Sequence, residues 1–152
     1  IEMKSETNTI TTKKSFVLIV HGGAEPTYTR ELMSFEYEKS LKKAMFESLK
    51  AGFKVLKSSL DSNSNNSNTH IEVIKASIKS MENDSVLNAG RGGKITQNFE
   101  VECDASIMNG IDLACGAVSG TKTVKNPIEA ADMVKNKTRH ILLAGGGGDI
   151  FA

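Results

Sequence analysis

The chain lacks tryptophan altogether, and it contains only two prolines and two cysteines among its 152 residues. Cys103 and Cys115 lie twelve positions apart and form no C-x-x-C pair. That spacing gives no sign of a disulfide framework or of a cysteine-rich zinc site. We therefore expect two buried, reduced thiols in a cytoplasmic protein.

Long apolar runs are missing as well. The longest, residues 16–20 and 141–144, are far shorter than the roughly 18 residues that a membrane-spanning helix needs. The first 14 residues, IEMKSETNTITTKK, are polar and show no secretory leader. Residues 1–14 are expected to form a flexible arm. These features predict cytoplasmic localisation and no membrane partner.

Charge of one sign is not in excess, because 19 Lys and Arg residues face 18 Asp and Glu residues. A balanced chain without a basic face is not expected to bind nucleic acid. Hydrophobic residues make up 39%, which is enough to bury a core. The length suits one compact domain or one half of a larger one.

The first half of the chain predicts a buried strand and then a helix. Residues 16–20 are continuously apolar and end at a His-Gly-Gly triplet. A helix is predicted over residues 34–58, with Ser34 as its N-cap. Its apolar positions recur at three- or four-residue steps: Leu41, Met45, Leu49, Phe53 and Leu56.

A polar loop and a second helix follow. Residues 61–68, DSNSNNSN, are of low complexity and predict a solvated loop. Thr69 has the spacing of a capping box with Glu72 and is expected to begin the helix. The apolar face of this helix carries Ile71, Ile74, Ile78 and Met81.

The second half changes to a period of two. Residues 101–108, VECDASIM, alternate between two faces, and Asn109-Gly110 favours a type I′ hairpin turn into a return strand over 113–119. Asn126-Pro127 predicts a capped helix start. A further strand over 140–144 enters four consecutive glycines, interpreted as a loop. These elements predict helical layers on a largely antiparallel sheet.

The stretch LNAGRGG at residues 87–93 has the glycine content of a phosphate cradle, but the P-loop pattern fails there. Asn88 occupies the position of the first glycine, and Ile95 that of the Ser or Thr. The run at 145–148 also fails as a dinucleotide fingerprint, since Ile150 replaces the third glycine. Nucleotide binding is therefore disfavoured.

Other kinds of site have little support in composition and spacing. His21, His70 and His140 are far apart in the sequence, so structural roles are favoured over metal binding. No G-x-S-x-G elbow is present. Glu102 and Asp104 share a strand face. Two carboxylates in this arrangement more commonly form a solvated or salt-bridged surface than a catalytic pair.

Six stretches together resemble the plant-type asparaginase and isoaspartyl peptidase group of N-terminal-nucleophile hydrolases, in order and spacing over residues 15–152. They are VHGGA (20–24), LNAGRGG (87–93), EVECDASIMNG (100–110), GAVSG (116–120), KNPIEAA (125–131) and HILLAGGGGDIFA (140–152). The resemblance implies an α+β fold, a four-layer αββα sandwich. This chain would form its N-terminal half, the α subunit.

The resemblance also implies a reaction and a partner. Precursors of this group cleave themselves, and a threonine at the new N-terminus of the β subunit becomes the nucleophile. An α-amine with a pKa of about 7.7–8.0 can take the proton of its hydroxyl near neutral pH. The implied substrates are L-asparagine or β-aspartyl dipeptides, the implied assembly is (αβ)2, and no catalytic cofactor is needed.

Particular residues carry these expectations. Asn88 matches an asparagine that faces the nucleophile and supports catalysis. Gly22 and Gly23 match a loop beside the substrate pocket. The segment at 81–91 matches a loop whose backbone carbonyls ring a sodium ion, and the matching positions are Met81, Glu82, Asp84, Leu87, Ala89 and Arg91.

Several positions depart from the family pattern. Glu25 stands where a glycine is usual, Asn98-Phe99 replaces an Asp-Gly turn, and Lys94 follows Gly93. These departures leave open an inactive scaffold or binding subunit of the same fold. A threonine aspartase-like protease subunit is a further alternative, although that group has HAG where Gly22 and Gly23 lie in HGG.

Overall fold

The computed structural model describes residues 16–23, 32–62 and 68–152. The predicted arm over 1–14, most of the predicted loop over 61–68, and Glu25 lie outside the described residues. The helices are α1 (Phe35–Asp61), α2 (Thr69–Glu82), α3 (Pro127–Lys137) and α4 (Gly146–Phe151). The strands are β1 (Cys103–Met108), β2 (Cys115–Thr121) and β3 (Leu142–Ala144), and a 3-10 turn covers Gly90–Gly92.

Helix α1 begins where the sequence predicts. The Ser34 side chain accepts the backbone N–H of Tyr37 at 3.1 Å, which confirms the N-cap. The helix packs closely on α2 at Gly52, where a Cβ atom would lie 3.0 Å from the Val73 carbonyl oxygen. Beside this crossing, the Ser48 hydroxyl donates to the Ser77 carbonyl at 2.9 Å. Small residues therefore set the distance between the two helices.

Helix α2 begins at Thr69, as predicted, but the capping box is wrong. Asn68 is the N-cap residue, and the Thr69 hydroxyl is hydrogen-bonded to that of Ser59 at 3.0 Å. The hydroxyl thus joins the start of α2 to the end of α1. On the predicted apolar face Ile71 and Met81 are buried, whereas Ile74 is 36% exposed.

The three strands form one sheet in the order β1-β2-β3. Strands β1 and β2 are antiparallel, and β2 and β3 are parallel, so the sheet is mixed and not largely antiparallel. Helix α3 covers one face and buries Val118 of β2 against Ala130 and Val134. The predicted alternation of β1 is confirmed, because Ile107 is buried and its neighbours Ser106 and Met108 are exposed.

The connection between β1 and β2 differs from the predicted two-residue turn. Met108 pairs with Cys115, which leaves a six-residue connection over 109–114. The buried Asn109 side chain accepts the backbone N–H of Ile111 at 3.0 Å and is hydrogen-bonded to His70 at 2.8 Å. Because its side chain organises the longer loop, the type I′ prediction from Asn-Gly is wrong.

Two more predictions fail for reasons of context. Residues 16–20 form no strand; Val17 and Ile19 are 84% and 81% exposed, and no described strand lies beside them to supply backbone partners. The four glycines after β3 are not a loop. Gly145 turns the chain with φ of 53°, and the following glycines begin α4.

Candidate functional site

A cleft of about 550 Å³ lies where the His-Gly-Gly segment, α1 and the loop after α2 meet. The cleft brings together three of the predicted site residues, Gly22, Gly23 and Asn88. Asn88 lies 65 positions beyond Gly23 in the sequence. The other described lining residues are His21, Met33, Tyr37, Leu41, Met81, Val86, Leu87, Ala89, Gly92 and Lys94.

The His-Gly-Gly turn is shaped by its histidine. His21 Nδ1 accepts the backbone N–H of Gly23 at 3.0 Å, and Gly23 has φ of 92°, which L side chains rarely adopt. Gly22 lies against α1, where a Cβ atom would be 3.0 Å from Met45 Sδ. This bond agrees with the structural role predicted for His21. Substrate contact by the two glycines stays a prediction.

Asn88 is oriented by the residue that ends its loop. The backbone N–H of Lys94 donates to Asn88 Oδ1 at 3.0 Å. That bond identifies the oxygen of the amide and leaves both N–H groups of Nδ2 available in the wall of the cleft. An amide held in this way can donate to a carbonyl oxygen or to the oxyanion formed from it.

The loop that carries Asn88 is braced by its own backbone. Asp84 Oδ1 accepts the N–H of Val86 at 2.9 Å, and the Asp84 N–H donates to the Met81 carbonyl at 3.1 Å. Leu87, only 3% exposed, anchors the middle of the loop in the core beside Ala44 and Met81. The 3-10 turn then closes through a bond from the Gly92 N–H to the Ala89 carbonyl.

Carbonyl oxygens crowd the inside of this loop. A Cβ atom on Gly92 would collide with the Leu87 carbonyl oxygen and lie 2.9 and 3.0 Å from those of Ser85 and Asp84. These three oxygens therefore lie close to the Gly92 backbone, and those of Asp84 and Leu87 belong to the predicted sodium positions. Hard oxygen donors of this kind suit a hard cation, so their chemistry fits the predicted sodium ion.

Five of the six predicted sodium-loop positions line two clefts on either side of the turn. Met81, Leu87 and Ala89 line the cleft that contains Asn88. Glu82 and Arg91 line a second cleft, of about 470 Å³, on the other side. Within the described ranges no group of three or more His, Cys, Asp or Glu side chains could hold a metal ion. A cation at the loop would therefore depend on backbone oxygens.

Glu82 has a role that the sequence did not reveal. Its buried carboxylate accepts the backbone N–H of Ile128 at 2.9 Å and the Asn126 side-chain N–H at 3.0 Å. Burial raises the pKa of this carboxyl, and the two hydrogen bonds oppose the shift. Asn126 is the N-cap residue and Pro127 begins α3, as predicted, but the Asn126 side chain makes no cap bond and Glu82 accepts the Ile128 N–H at the start of the helix.

The carboxylates of β1 have separate partners. Asp104 accepts hydrogen bonds from the Gly120 backbone and the Ser119 hydroxyl, both at 2.8 Å, and these bonds lower its pKa. Glu102 lies 3.5 Å from the Lys122 ammonium. The pair is thus a hydrogen-bonded and salt-bridged surface, as the sequence favoured.

The fold and the cleft define a mixed α/β protein with a glycine-lined cleft and one oriented amide. The family model described as asparaginase matches residues 14–152. The chain therefore belongs to the asparaginase family, which confirms the resemblance drawn from its motifs.

Curated relatives agree with this assignment. The chain is 36% identical over 139 residues to a probable isoaspartyl peptidase/L-asparaginase 2 of Arabidopsis thaliana, covering 90% of this chain and 39% of that protein. It is 32% identical over 138 residues to the isoaspartyl peptidase/L-asparaginase of Mus musculus, covering 91% and 38%. With a plant-type L-asparaginase of Pyrococcus abyssi it shares 37% identity over 135 residues, covering 89% and 40%. The chain thus spans about two fifths of the length of these relatives.

Across residues 16–23, 32–62 and 68–152, none of the helices combines the length and the apolar character that crossing a membrane requires.

Proposed function

We propose that this chain is the N-terminal part of an amidohydrolase that acts on L-asparagine, on β-aspartyl dipeptides, or on both. The observation that carries the proposal is the oriented amide of Asn88, which shares a cleft with Gly22 and Gly23. Membership of the asparaginase family and the names of its curated relatives support the same reaction.

The reaction joins this cleft to a nucleophile outside the 152 residues. A threonine hydroxyl, deprotonated by its own α-amine, attacks the side-chain amide carbonyl of the aspartyl group. The tetrahedral intermediate expels ammonia or an amino acid, and water then releases aspartate from the acyl-enzyme. Asn88 Nδ2 donates to the oxygen on which negative charge develops, an interaction that strengthens in the transition state.

The partner in this proposal is a β subunit from the same precursor, with an (αβ)2 assembly and a four-layer sandwich. Two observations support a further layer. Helix α3 covers only one face of the described sheet, and the apolar residues Val17 and Ile19 are exposed beside no described strand. A layer contributed by the β subunit would bury both.

A structural sodium ion completes the proposal. The carbonyl groups of Met81, Glu82, Asp84, Leu87, Ala89 and Arg91 would hold it. Its bound charge would fix the loop and, through the loop, the direction of Asn88. The support is that the carbonyl oxygens of two of these residues, Asp84 and Leu87, lie together with that of Ser85 beside the Gly92 backbone. The ion takes no part in bond making or breaking.

The experiment that tests the function is a hydrolysis assay of the full-length protein. L-asparagine and a β-aspartyl dipeptide are the test substrates, and L-glutamine and the matching α-aspartyl dipeptide are the controls. We expect aspartate to be released from one or both test substrates and little hydrolysis of the controls. If a folded, fully processed protein released no aspartate from either substrate, the enzyme proposal would fail and an inactive scaffold would be favoured.

A further inference from the structure

We propose that the second cleft binds a small dicarboxylate between the guanidinium group of Arg91 and the ammonium group of Lys125. The proposed function places the substrate in the cleft of Asn88, on the other side of the turn, so the inference goes beyond that function. It is carried by the position of the two cations, by the partners of the charges around them and by the apolar residues that share the cleft.

The two cations lie on segments that meet at one buried residue, Glu82. Gly90, next to Arg91, packs on its backbone, because a Cβ atom there would lie 2.6 Å from the Glu82 carbonyl oxygen. Asn126, next to Lys125, donates its side-chain N–H to the Glu82 carboxylate at 3.0 Å. The backbones of Arg91 and Lys125 are therefore held at a fixed separation, while their long side chains can adjust to a ligand.

Neither cation is neutralised by a described carboxylate. Across the part of the chain that the structure describes, the side chains of Arg91 and Lys125 make no hydrogen bond or ion pair, and both residues are exposed. The third cation of the cleft, Lys122, is paired with Glu100 and Glu102. Two positive charges thus remain for an anionic ligand.

The carboxylate of Glu82 also lines this cleft, but its hydrogen-bonding capacity is used by the protein. One oxygen accepts from the Asn126 side chain, and the other accepts the backbone N–H of Ile128 at 2.9 Å. The negative charge of Glu82 is therefore bound to the start of α3 and forms no ion pair with Arg91 or Lys125.

Two separate cations favour a ligand with two separate anionic groups. The paired N–H groups of a guanidinium match a carboxylate, and an ammonium group binds the second carboxylate as a point charge. Val101, Cys103 and Val124 give the cleft apolar surface, which suits a short hydrocarbon chain between the two carboxylates. Inorganic phosphate carries its charge on one centre and has no such chain, so we expect it to bind less tightly.

The test is isothermal titration calorimetry of the full-length protein with succinate, butyrate and inorganic phosphate at equal ionic strength. Butyrate has the chain length of succinate but only one carboxylate. We expect one succinate to bind per copy of this chain, more tightly than either of the other anions. Arg91→Gln and Lys125→Gln should each lower the affinity for succinate about fivefold, because each removes one exposed charge pair.

Two further variants make the result specific to this cleft. Lys125→Arg keeps the positive charge and should retain the affinity for succinate. Lys57→Gln removes an equal charge from the exposed surface of α1, outside the cleft, and should leave the affinity unchanged.

No binding of succinate by the parent protein would overturn the inference. Binding that neither cleft substitution weakens, or that Lys57→Gln weakens equally, would overturn it too, because the anion would then bind elsewhere. Equal affinities for succinate and phosphate would refute a ligand with two carboxylates. Calorimetry requires no hydrolysis, so failure of this inference and failure of the proposed function are distinguishable.

Discussion

The carboxylate of Glu82, the last residue of α2, accepts the backbone N–H of Ile128 in the first turn of α3 at 2.9 Å. This bond joins the helix that leads into the Asn88 loop to the helix that covers the sheet. The start of a helix has unpaired N–H groups and attracts negative charge. One buried side chain therefore fixes the loop of the candidate site relative to the sheet layer.

Replacing Glu82 by alanine should weaken this junction. The Glu82 side chain accepts from both Ile128 and Asn126, whereas alanine accepts from neither and leaves both donors without this partner. We expect the free energy of unfolding to fall by about 1–3 kcal/mol, measured by urea titration. The control is Glu129→Ala. Its exposed ion pair with Lys79 should contribute at most about 1 kcal/mol. A loss no larger for Glu82 than for Glu129 would contradict the buried cap.

The same carboxyl predicts a pH dependence. Burial raises the pKa of Glu82 in the folded protein above its ordinary value of 4.5. The folded state then holds its proton more tightly than the unfolded state. The stabilisation that comes from this tighter proton binding is complete below pH 4.5, and it is lost as the pH rises through the raised pKa of Glu82.

The measurement is the difference in unfolding free energy between the parent and Glu82→Gln across acidic pH. The unfolding free energy of the parent minus that of Glu82→Gln should be largest at low pH and should decrease as pH rises. Asp104 and Asp132, whose pKa values are lowered, titrate in both proteins and cancel from the difference. If this difference increased with pH, the pKa of Glu82 would not be raised in the folded protein and the prediction would be wrong.

Phe99 occupies a backbone conformation that suits glycine. The Phe99 N–H donates to the Thr96 carbonyl at 3.0 Å in a tight turn, and Phe99 itself has φ of 60° and is 92% exposed. Phe99→Gly should relieve the left-handed strain at little packing cost and raise stability by about 0.5–1 kcal/mol. Gln97→Gly in the same turn, where φ is not positive, should lower stability. Equal effects of the two substitutions would argue against strain at Phe99.

The sodium proposal predicts a specific cation effect on stability. Replacing sodium chloride by choline chloride at equal ionic strength should lower the Tm of the full-length protein, because an ion that binds only the folded state stabilises it. Gly92→Ala should abolish this difference, since its Cβ would collide with the Leu87 carbonyl oxygen and displace the carbonyl groups of the loop. In the control Gly147→Ala, the added Cβ meets no described atom within 4 Å, so the difference in Tm between the two salts should remain. Equal Tm values of the parent in both salts would refute the ion.

Local patterns predicted the regular elements well. The α1 cap at Ser34 depends on a bond only three residues long, and the alternation in β1 depends on a single strand face. Predictions that involved distant partners were less successful. The side chain of Asn109 is held by His70, 39 positions away, and the N–H of Ile128 by Glu82, 46 positions away. Sequence spacing carries no signal for such pairs.

The candidate site shows the same division. The motifs around Gly22, Gly23 and Asn88 were linked only by resemblance to a family, and the structure places them in one cleft. The orientation of Asn88 by the backbone of Lys94 could not be predicted, because a backbone N–H donor has no side-chain signature. Residues 16–20 were read as a strand from composition alone, but a strand also needs partners.

The most direct test of the account is the rate of aspartate release by Asn88→Asp in the full-length protein. Aspartate keeps the oxygen that accepts the Lys94 N–H but lacks the two Nδ2 donors, so it separates the orienting bond from the catalytic one. We predict that the variant folds with a Tm close to that of the parent, while kcat falls by about 10²–10³. An unchanged kcat, with the same fold, would show that Asn88 only shapes its loop and would contradict the account.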